Sequence, residues 1–377
     1  MSTKRRIPKY QVIKDTLLSW GKEGQLTPGS KLPIEGELAK IFSASRQTVR
    51  QAVGELVQEG ILERKQGSGT YLRDRRTNSA SPTVEAQYII GVITTYISDY
   101  IFPHIIRGIE ERLSIDGYSP LLFSTQNDPQ KERRALEAIL ARSVDGVIVE
   151  PTKSAVTSTN GDLFAELQTR GIPVVMLHAT YDELDVPKIE VNDHLGAVLA
   201  TEHLISLGHT KIGGIMKIDD KQGMRRFEGF LHAGGTFTND LMSFYTTEGQ
   251  LLVCQQYVDR LMKMTPTERP TAVFCYNDAI ASDFIVKLRE RGFSVPNDIS
   301  VIGFDDSQLA TLSSPPLTTI EHPKMSMGIK AAETILQLLH DPDSSRSIST
   351  YTFQPQLVIR ESTQELRILQ SENAFAT

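Results

Sequence analysis

The chain has few of the residues and runs that mark secreted, membrane or metal-binding proteins. Its 377 residues include only 2 cysteines, Cys254 and Cys275, whose spacing matches neither a metal-ligand motif nor a disulfide framework. No stretch approaches the roughly 18 consecutive apolar residues of a membrane-spanning helix. No apolar run with a small-residue cleavage site lies near the N-terminus. We therefore expect a protein of the reducing cytoplasm with no membrane partner.

The sequence also lacks the short motifs of common catalytic sites. It has no phosphate-binding loop, no nucleophile elbow and no metal-ligand motif. We therefore expect no cofactor, no metal ion and no catalytic residues.

What the sequence does contain is an uneven distribution of charge. The length suggests two or three folding units, and 40% apolar residues are enough for several buried cores. Residues 1–76 hold 15 Lys and Arg against 8 Asp and Glu, a net charge of +7, whereas the remainder has −13, which together give the −6 of the whole chain. A basic head on an acidic body indicates that the head alone meets a polyanion.

Apolar residues recur at helical spacing in three stretches of this basic head. The third stretch is the most regular: it follows Ser45, which stands where an N-cap is expected, and it has the pattern of a strongly amphipathic helix. We expect a first helix from about residue 10 to residue 20, a second over residues 35–42, and this third helix. The predicted core-facing residues are Tyr10, Ile13, Leu17 and Trp20, then Leu38, Ala39 and Phe42, then Val49, Ala52, Val53, Leu56 and Val57.

The polar face of the third predicted helix has Arg46, Gln47 and Arg50 in its first turns, where a recognition helix presents its side chains to the major groove. Arginine can donate two hydrogen bonds to guanine, and glutamine can pair with adenine. A solvated polar face is the alternative interpretation. Two β-rich runs downstream, residues 61–64 and 70–73, flank a glycine-containing turn. They complete the layout of a winged helix-turn-helix and favour DNA binding.

Four runs of the head, residues 26–35, 45–53, 60–62 and 67–71, resemble the GntR-type DNA-binding domain in order and spacing. The resemblance implies that Arg46 and Arg50 contact base edges and phosphates, and that Gln47 reads the sequence. Ile34 departs from the family pattern, which usually has Ser or Thr there. The remaining contacts with double-stranded DNA that the resemblance implies are Lys9 with a phosphate, Glu35 near the backbone or a cytosine edge, Ser45 and Thr48 at the start of the recognition helix, and Gln66 and Gly67 with the minor groove.

Beyond the head, the chain alternates short β-rich runs with helical stretches. The alternation forms two consecutive series of strands and helices. These predict two lobes, each of which is a parallel sheet with helices on both faces. The expected fold class is α/β, with an N-terminal winged helix-turn-helix and a two-lobed body of doubly wound parallel sheets. The predicted strands are residues 88–94, 120–124, 146–150, 173–177, 211–216, 271–275 and 300–304, and the predicted helices lie near residues 103–116, 129–142, 163–170, 195–207, 223–233, 251–263 and 279–291.

The composition also predicts where the domains begin and end. Residues 74–86 are polar and contain a proline, as is typical of a linker. We expect a DNA-binding head over residues 1–73, a ligand-binding and dimerisation body over residues 87–367, and a flexible tail over residues 368–377.

Polar residues that follow the predicted strands are candidate ligand contacts, because ligands of parallel sheets collect at the carboxyl ends of the strands. A sugar presents hydroxyl groups and apolar C–H patches, so its site needs carboxylates, amides, arginine and an aromatic platform. Each candidate has an alternative role as a helix cap, a hinge contact or a solvated side chain. The candidates after strands are Thr95, Tyr96, Tyr100, Glu150, Lys153, His178, Asn277, Asp278, Asp305 and Asp306, and Arg226, early on a predicted helix, is a further candidate.

The body resembles the effector domain of LacI/GalR-type repressors, which is similar to periplasmic sugar-binding proteins. The resemblance implies sugar contacts by Glu150, Arg226, Asn277 and Asp305, with His322 where the second lobe returns through the hinge. The runs that support it are residues 91–93, 144–148, 171–175, 203–209, 226–230, 274–278, 295–306 and 317–320.

A GntR-type head on a LacI-type body resembles the arabinose-responsive repressors, and residues 94–103, 149–155 and 219–223 look like that subgroup. This resemblance implies L-arabinose as the effector and a homodimer whose two heads bind a two-fold operator. Sugar would close the cleft, change the spacing of the heads and release the DNA. It can do so only through unequal affinity for the two conformations.

Two other classes of protein stay open at this point. An enzyme acting on sugars would use paired carboxylates, such as Asp305 with Asp306 or Glu150 with Asp193, at a separation that the sequence does not reveal. A transport-type sugar-binding protein would not need the head. We expect a repressor with no enzymatic activity, since neither alternative accounts for head and body together.

Overall fold

The structure, a computed structural model, describes residues 8–22, 26–27, 30–58, 61–65, 68–72, 88–235, 241–341 and 350–366. Its contacts divide the chain into two compact units, Met1–Glu85 and Ala86–Thr377. The predicted linker (residues 74–86) and tail (residues 368–377) lie outside the described residues. The finer domain boundaries therefore stay predictions.

The head is a three-helix unit with a two-stranded wing, as predicted. Helices α1 (Lys9–Lys22) and α2 (Glu35–Ile41) pack against α3 (Arg46–Gln58), and β1 (Leu62–Lys65) pairs antiparallel with β2 (Gly69–Leu72). The apolar face of α3 is turned inward, as its periodicity predicts. The buried core of the head is Ile13, Leu17, Leu26, Leu32, Leu38, Val49, Ala52, Val53, Leu56 and Leu62.

A short segment before α2 adds a partner to the wing. The backbone N–H of Leu32 donates to Thr70 O at 2.8 Å, and that of Leu72 donates to Ser30 O at 2.9 Å. The sequence predicts no strand in this region, because so short a pairing leaves no alternating pattern. The pairing ties the wing to the segment that leads into α2.

The body begins with the first predicted β/α series and continues into the second. The first contains β3 (Ile89–Thr94), α4 (Phe102–Ile115), β4 (Ser119–Ser124), α5 (Pro129–Leu140), β5 (Gly146–Val149), α6 (Gly161–Thr169), β6 (Val174–Leu177) and β7 (Lys188–Val191). The second contains α7 (Asp193–Ser206), β8 (Ile212–Lys217), α8 (Lys221–His232), β9 (Met242–Tyr245), α9 (Gln250–Leu261), β10 (Ala272–Cys275), α10 (Asp278–Glu290), β11 (Ser300–Ile302), α11 (Gln308–Leu312) and β12 (Thr319–Ile320). The described chain ends with α12 (Lys324–His340), β13 (Tyr351–Phe353) and β14 (Leu357–Val358).

These elements form two parallel sheets, which confirms the predicted fold class. The first lobe has a six-stranded sheet in the order β13-β7-β6-β5-β3-β4, and the second has a four-stranded sheet in the order β11-β10-β8-β9. Apolar clusters lie on both faces of each sheet. Because every strand within a sheet runs the same way, the residues that follow the strands gather at one edge.

Within the described residues, the chain passes between the two lobes three times: after β7, after β12 and after β13. Neighbouring crossings are hydrogen-bonded to one another. Asn192 N–H donates to Phe353 O at 2.9 Å, and Glu321 N–H donates to Gln356 O at 2.7 Å. His322 lies in the second crossing, between β12 and α12. Three adjacent connections of this kind form a hinge.

Helix α12 returns to the first lobe and packs closely against α4. The contact depends on two glycines: a Cβ on Gly108 would lie 2.3 Å from Met325 O, and a Cβ on Gly328 would lie 2.0 Å from Ile105 O. These distances are far below van der Waals contact, so only glycine permits this approach of the two backbones.

Several elements of the body are absent from the sequence interpretation. It has no strand at β7, β9, β12, β13 or β14 and no helix at α11 or α12, although the predicted elements agree with the structure to within a few residues. The missed strands have at most four residues, which is too short for a clear alternation. Among the described residues, no helix is long and apolar enough to cross a bilayer, and no three potential ligands are grouped to hold a metal ion.

Candidate functional site

The first turns of α3 present the predicted recognition residues to solvent. Ser45 caps the helix, because its Oγ accepts a hydrogen bond from Thr48 N–H at 3.1 Å and lies 2.8 Å from the Thr48 hydroxyl. Arg46, Gln47 and Arg50 are all exposed on the side opposite the buried core. This polar face is therefore accessible to another molecule.

Glu35 links α2 to two arginines of this surface. Its Oε2 accepts hydrogen bonds from Arg50 Nε at 3.0 Å and Nη2 at 2.9 Å, and its Oε1 lies 3.4 Å from Arg64 Nη2. The hydrogen bond to Glu35 raises the pKa of Arg50. Because two guanidinium groups share one carboxylate, the cluster keeps a net positive charge, as a surface that meets phosphates requires.

Lys9, another predicted DNA contact, lies at one edge of this surface. Lys9 Nζ donates to Ser43 O at 3.1 Å, next to the turn before α3. Ile34 supplies no side-chain acceptor at the start of α2, but its N–H donates to the Glu37 carboxylate at 3.1 Å, which keeps one half of a capping box. Gln66 and Gly67 lie outside the described residues.

The body contains a cavity of about 310 Å³ whose walls come from both lobes. Nine of the twelve sequence-predicted ligand residues line it, although they are spread over more than 200 positions of the chain. They are Thr95, Tyr96, Tyr100, Glu150, His178, Arg226, Asn277, Asp305 and His322. The other three, Lys153, Asp278 and Asp306, are absent from the lining. The ammonium group of Lys153 pairs instead with Glu248 of the second lobe.

The second-lobe wall is built around Arg226 of α8. Its guanidinium donates from Nε to Asp193 Oδ1 at 2.9 Å and from Nη1 to Tyr276 O at 2.7 Å, and its Nη2 lies 3.3 Å from Asp305 Oδ1. The Phe304 ring stacks on it at 3.6 Å. Burial lowers the pKa of Arg226, but the charges of Asp193 and Asp305 outweigh burial and raise it. The arginine is therefore permanently charged and held in place.

A second buried ion pair follows β8. Lys217 Nζ lies 2.8 Å from Asp220 Oδ2, and Asp220 also accepts a hydrogen bond from the Tyr276 hydroxyl at 2.8 Å. Burial lowers the pKa of Lys217, but Asp220 and Asp219 outweigh it and raise this pKa. Lys217, Asp220 and Tyr276 all line the cavity, yet the site prediction lacks them. A signal was present, because two carboxylates and a lysine follow the end of a predicted strand.

The first-lobe wall contains Glu150 after β5 and His178 after β6. Glu150 Oε1 lies 3.0 Å from His178 Nδ1, and His178 Nε2 lies 3.0 Å from Nε2 of His322 in the hinge. Glu150 Oε2 accepts from the Thr95 backbone N–H at 2.7 Å and from its hydroxyl at 2.5 Å. Burial lowers the pKa of His178, but Glu150 outweighs burial and raises it.

Side chains also bridge the two lobes directly. The Tyr100 hydroxyl, from the first lobe, donates to Asp305 Oδ2 at 2.7 Å and accepts from Asp278 N–H at 3.2 Å. At another part of the cleft, Asn127 Nδ2 donates to the Thr247 hydroxyl. The lobes are therefore in a closed arrangement around the cavity.

Asn277 combines the two roles that the sequence leaves open. Its Oδ1 accepts a hydrogen bond from Ile280 N–H at 3.0 Å, so it caps α10, and the residue also lines the cavity. Asp278, by contrast, is fully buried and accepts from Ser307 N–H at 2.7 Å and from the Thr319 hydroxyl at 2.5 Å. Asp278 therefore supports the loop that contains Asp305.

Taken together, the cavity offers carboxylates, paired cations, imidazoles and the rings of Phe102, Tyr96 and Tyr276 to one small volume. Such a lining can hydrogen-bond several hydroxyl groups and stack on apolar C–H patches. Because the walls belong to different lobes, a bound molecule can hold the lobes closed.

Comparisons with known proteins agree with the two parts of the chain. Residues 9–72 match the family described as bacterial regulatory proteins, gntR family, and residues 201–363 match the periplasmic binding protein-like domain. The chain is 43% identical over 370 residues to the arabinose metabolism transcriptional repressor of Geobacillus stearothermophilus, with 96% of this chain and 99% of that protein covered. It is 42% identical to the protein of the same name from Halalkalibacterium halodurans, with 95% and 97% covered.

Solved structures resemble the body. One is a LacI family transcriptional regulator from Enterococcus faecalis with bound ribose, which is 27% identical to this chain with a TM-score of 0.64. The similarity covers 74% of this chain and 100% of that chain.

Proposed function

Since the chain belongs to the family of arabinose metabolism transcriptional repressors, we propose that it represses sugar-utilisation genes by binding operator DNA through its head. The protein leaves the DNA when L-arabinose occupies its cavity. The observation that carries the proposal is the cavity itself, since its polar lining comes from both lobes of a hinged body.

The exposed face of α3 supports the DNA-binding part of the proposal. Arg46 and Gln47 have the donor and acceptor groups that read guanine and adenine, and both are exposed at the start of the helix. The cluster of Glu35 with Arg50 and Arg64 adds positive charge beside them. Contacts with phosphates would account for affinity, and contacts with base edges for specificity.

The size and charge of the cavity support a small neutral sugar. Its volume of about 310 Å³ is at the low end of the range of about 300–1,000 Å³ for small-molecule sites. Arg226 and Lys217 of its lining are each paired with carboxylates, so neither offers an uncompensated charge to a phosphate. A neutral pentose such as L-arabinose fits this chemistry better than a sugar phosphate.

The proposal includes a homodimer in the cytoplasm, because a two-fold operator requires two heads at a set spacing. Closure of the lobes around sugar would change that spacing and lower the affinity for DNA. The proposed protein binds the sugar without converting it. The carboxylates suggested for an enzyme have other partners, since Asp305 and Asp193 both contact Arg226.

Three measurements on the full chain test the proposal. Calorimetry against pentoses and hexoses should give saturable binding, tightest for L-arabinose, and the sugar should be recovered unchanged. A DNA duplex that the chain selects from a random pool should bind in the absence of sugar and dissociate as L-arabinose is added. Saturating L-arabinose that leaves DNA affinity unchanged would refute the coupling, and sedimentation of the complex would test the dimer.

A further inference from the structure

The wall formed by Glu150, His178 and His322 contains a chain of hydrogen bonds that ends on a nitrogen with no partner. Glu150 bonds to Nδ1 of His178, and Nε2 of His178 lies 3.0 Å from Nε2 of His322. The second nitrogen of His322, Nδ1, is buried without a hydrogen-bond partner, although the residue lines the cavity. A buried polar atom of this kind is costly unless something satisfies it.

The number of protons shared by Glu150, His178 and His322 decides whether His322 Nδ1 is a hydrogen-bond donor or an acceptor. Glu150 accepts, so His178 Nδ1 has a proton. If His178 also has a proton on Nε2, it donates to His322 Nε2, and a neutral His322 then keeps its own proton on Nδ1. If His178 is neutral, its Nε2 accepts from His322, and His322 Nδ1 becomes an acceptor. One proton therefore converts the unpartnered nitrogen from acceptor to donor.

The surrounding charges favour the donor state. Glu150, Asp193 and Asp305 act on His178, and its pKa is raised although burial lowers it. His322 has the opposite environment, because burial and the positive charges of His178, Lys324 and Arg226 lower its pKa well below the usual value. The pair thus holds its extra proton on His178 and keeps His322 neutral.

We propose that His322 Nδ1–H is the group of this wall that donates a hydrogen bond to an oxygen of the bound sugar, and that Glu150 and His178 are positioning residues that fix the tautomer of His322. The inference rests on the proposed sugar site. It assigns Glu150 and His178 a role through His322 instead of a direct contact with the sugar.

The sign of the pH dependence follows from this arrangement. The sugar oxygen binds the state in which His178 is protonated, so affinity is full below the pKa of His178. Affinity falls as the pH rises through that pKa and levels off about 3- to 10-fold weaker, since the deprotonated state lacks one hydrogen bond to the sugar. Above the pKa, binding takes up a proton from solution.

Calorimetry of the full chain with L-arabinose, from pH 6 to pH 9 in buffers of different ionisation enthalpy, measures both effects. We expect proton uptake together with weaker binding as the pH rises through the pKa of His178. Glu150→Gln removes the charge that raises the pKa of His178, so the fall in affinity should begin at lower pH. His203→Gln is the matched control, because His203 bonds to Thr363 and is absent from the cavity lining, and its profile should equal that of the parent.

Two substitutions of His322 separate its nitrogens. Asparagine places its amide near the position of Nδ1, so His322→Asn should keep binding and lose the pH dependence. Glutamine reaches the position of Nε2 and leaves no donor at Nδ1, so His322→Gln should weaken L-arabinose binding by about 3- to 10-fold, the value of one hydrogen bond.

The parent profile tests the relay whether or not a variant folds. L-Arabinose binding that is independent of pH, without proton uptake, would overturn the relay and leave the proposed function standing. A Glu150→Gln profile identical to that of the parent would do the same. If L-arabinose does not bind at any pH, the proposed function falls, and the relay falls with it.

Discussion

Tyr100→Phe removes a single hydroxyl that bridges the two lobes of the body. The hydroxyl donates to Asp305 Oδ2 at 2.7 Å and accepts from Asp278 N–H at 3.2 Å, both in the second lobe. Burial, with the charges of Asp305 and Asp278, raises the pKa of Tyr100 well above its usual value, so the hydroxyl keeps its proton at every pH of interest. Because these bonds join the two lobes, separation of the lobes would break them.

The expected effect follows from the loss of a hydrogen bond to a charged partner. Such a bond contributes about 1.5–3 kcal/mol, because Asp305 would otherwise stay buried with an unsatisfied oxygen. The loss raises the free energy of the closed state relative to the open one. A sugar that binds the closed state should then bind about 10- to 150-fold more weakly, since each 1.4 kcal/mol is a factor of about ten.

Calorimetry with L-arabinose measures the affinity for the sugar, and thermal melting of the ligand-free chain measures its stability. Tyr100→Phe should weaken sugar binding and raise the L-arabinose concentration needed to release DNA. Tyr88→Phe is a suitable control, because Tyr88 is exposed at the edge of the first lobe and does not line the cavity. Unchanged sugar affinity would refute the link between this bridge and closure. A lowered melting temperature with unchanged affinity would assign Tyr100 a role in stability alone.

Other predictions concern the head and the core of the first lobe. Arg46→Ala should weaken binding to the selected DNA duplex by about 1–3 kcal/mol if Arg46 reads a base with two hydrogen bonds, whereas Arg107→Ala, on the surface of the body, should have no effect in fluorescence anisotropy. Lys9→Met should reduce the slope of log affinity against log salt by about 0.9 if Lys9 contacts one phosphate, and an unchanged slope would exclude that contact. Gly108→Val should destabilise the body by about 1–3 kcal/mol or more in urea unfolding, because its Cβ would lie 2.3 Å from a backbone oxygen of α12, whereas Gly161→Ala meets nothing within 4 Å and should be close to neutral.

The head was predictable from the sequence almost element by element. Its helices lie where apolar residues recur at helical spacing, and Ser45 caps α3 as predicted. Each of these features depends on neighbours within a few residues along the chain, so a local pattern is enough to reveal them. The pairing of Leu32 with Thr70 was not predictable, because it joins residues far apart through only a few hydrogen bonds.

The candidate ligand residues were predictable as a group but not in their roles. Parallel strands bring the residues after their carboxyl ends together, which is why most of the predicted set lines one cavity. The hydrogen bonds and ion pairs that these residues form were not predictable. Lys153 pairs with Glu248 instead of lining the cavity, and Lys217, which the prediction lacks, lies in the lining beside Asp220.

The sequence alone determined most of the helices and strands, and that a basic head precedes an acidic two-lobed body. These properties follow from periodicity, capping and charge, which depend on residues that are close together in the sequence. Only the tertiary structure decided which side chains meet. The bond between His178 and His322 joins residues 144 positions apart, and that between Tyr100 and Asp305 joins residues 205 apart. Such pairs form because the chain crosses three times between lobes, and no local pattern encodes where those crossings bring two side chains within hydrogen-bond distance.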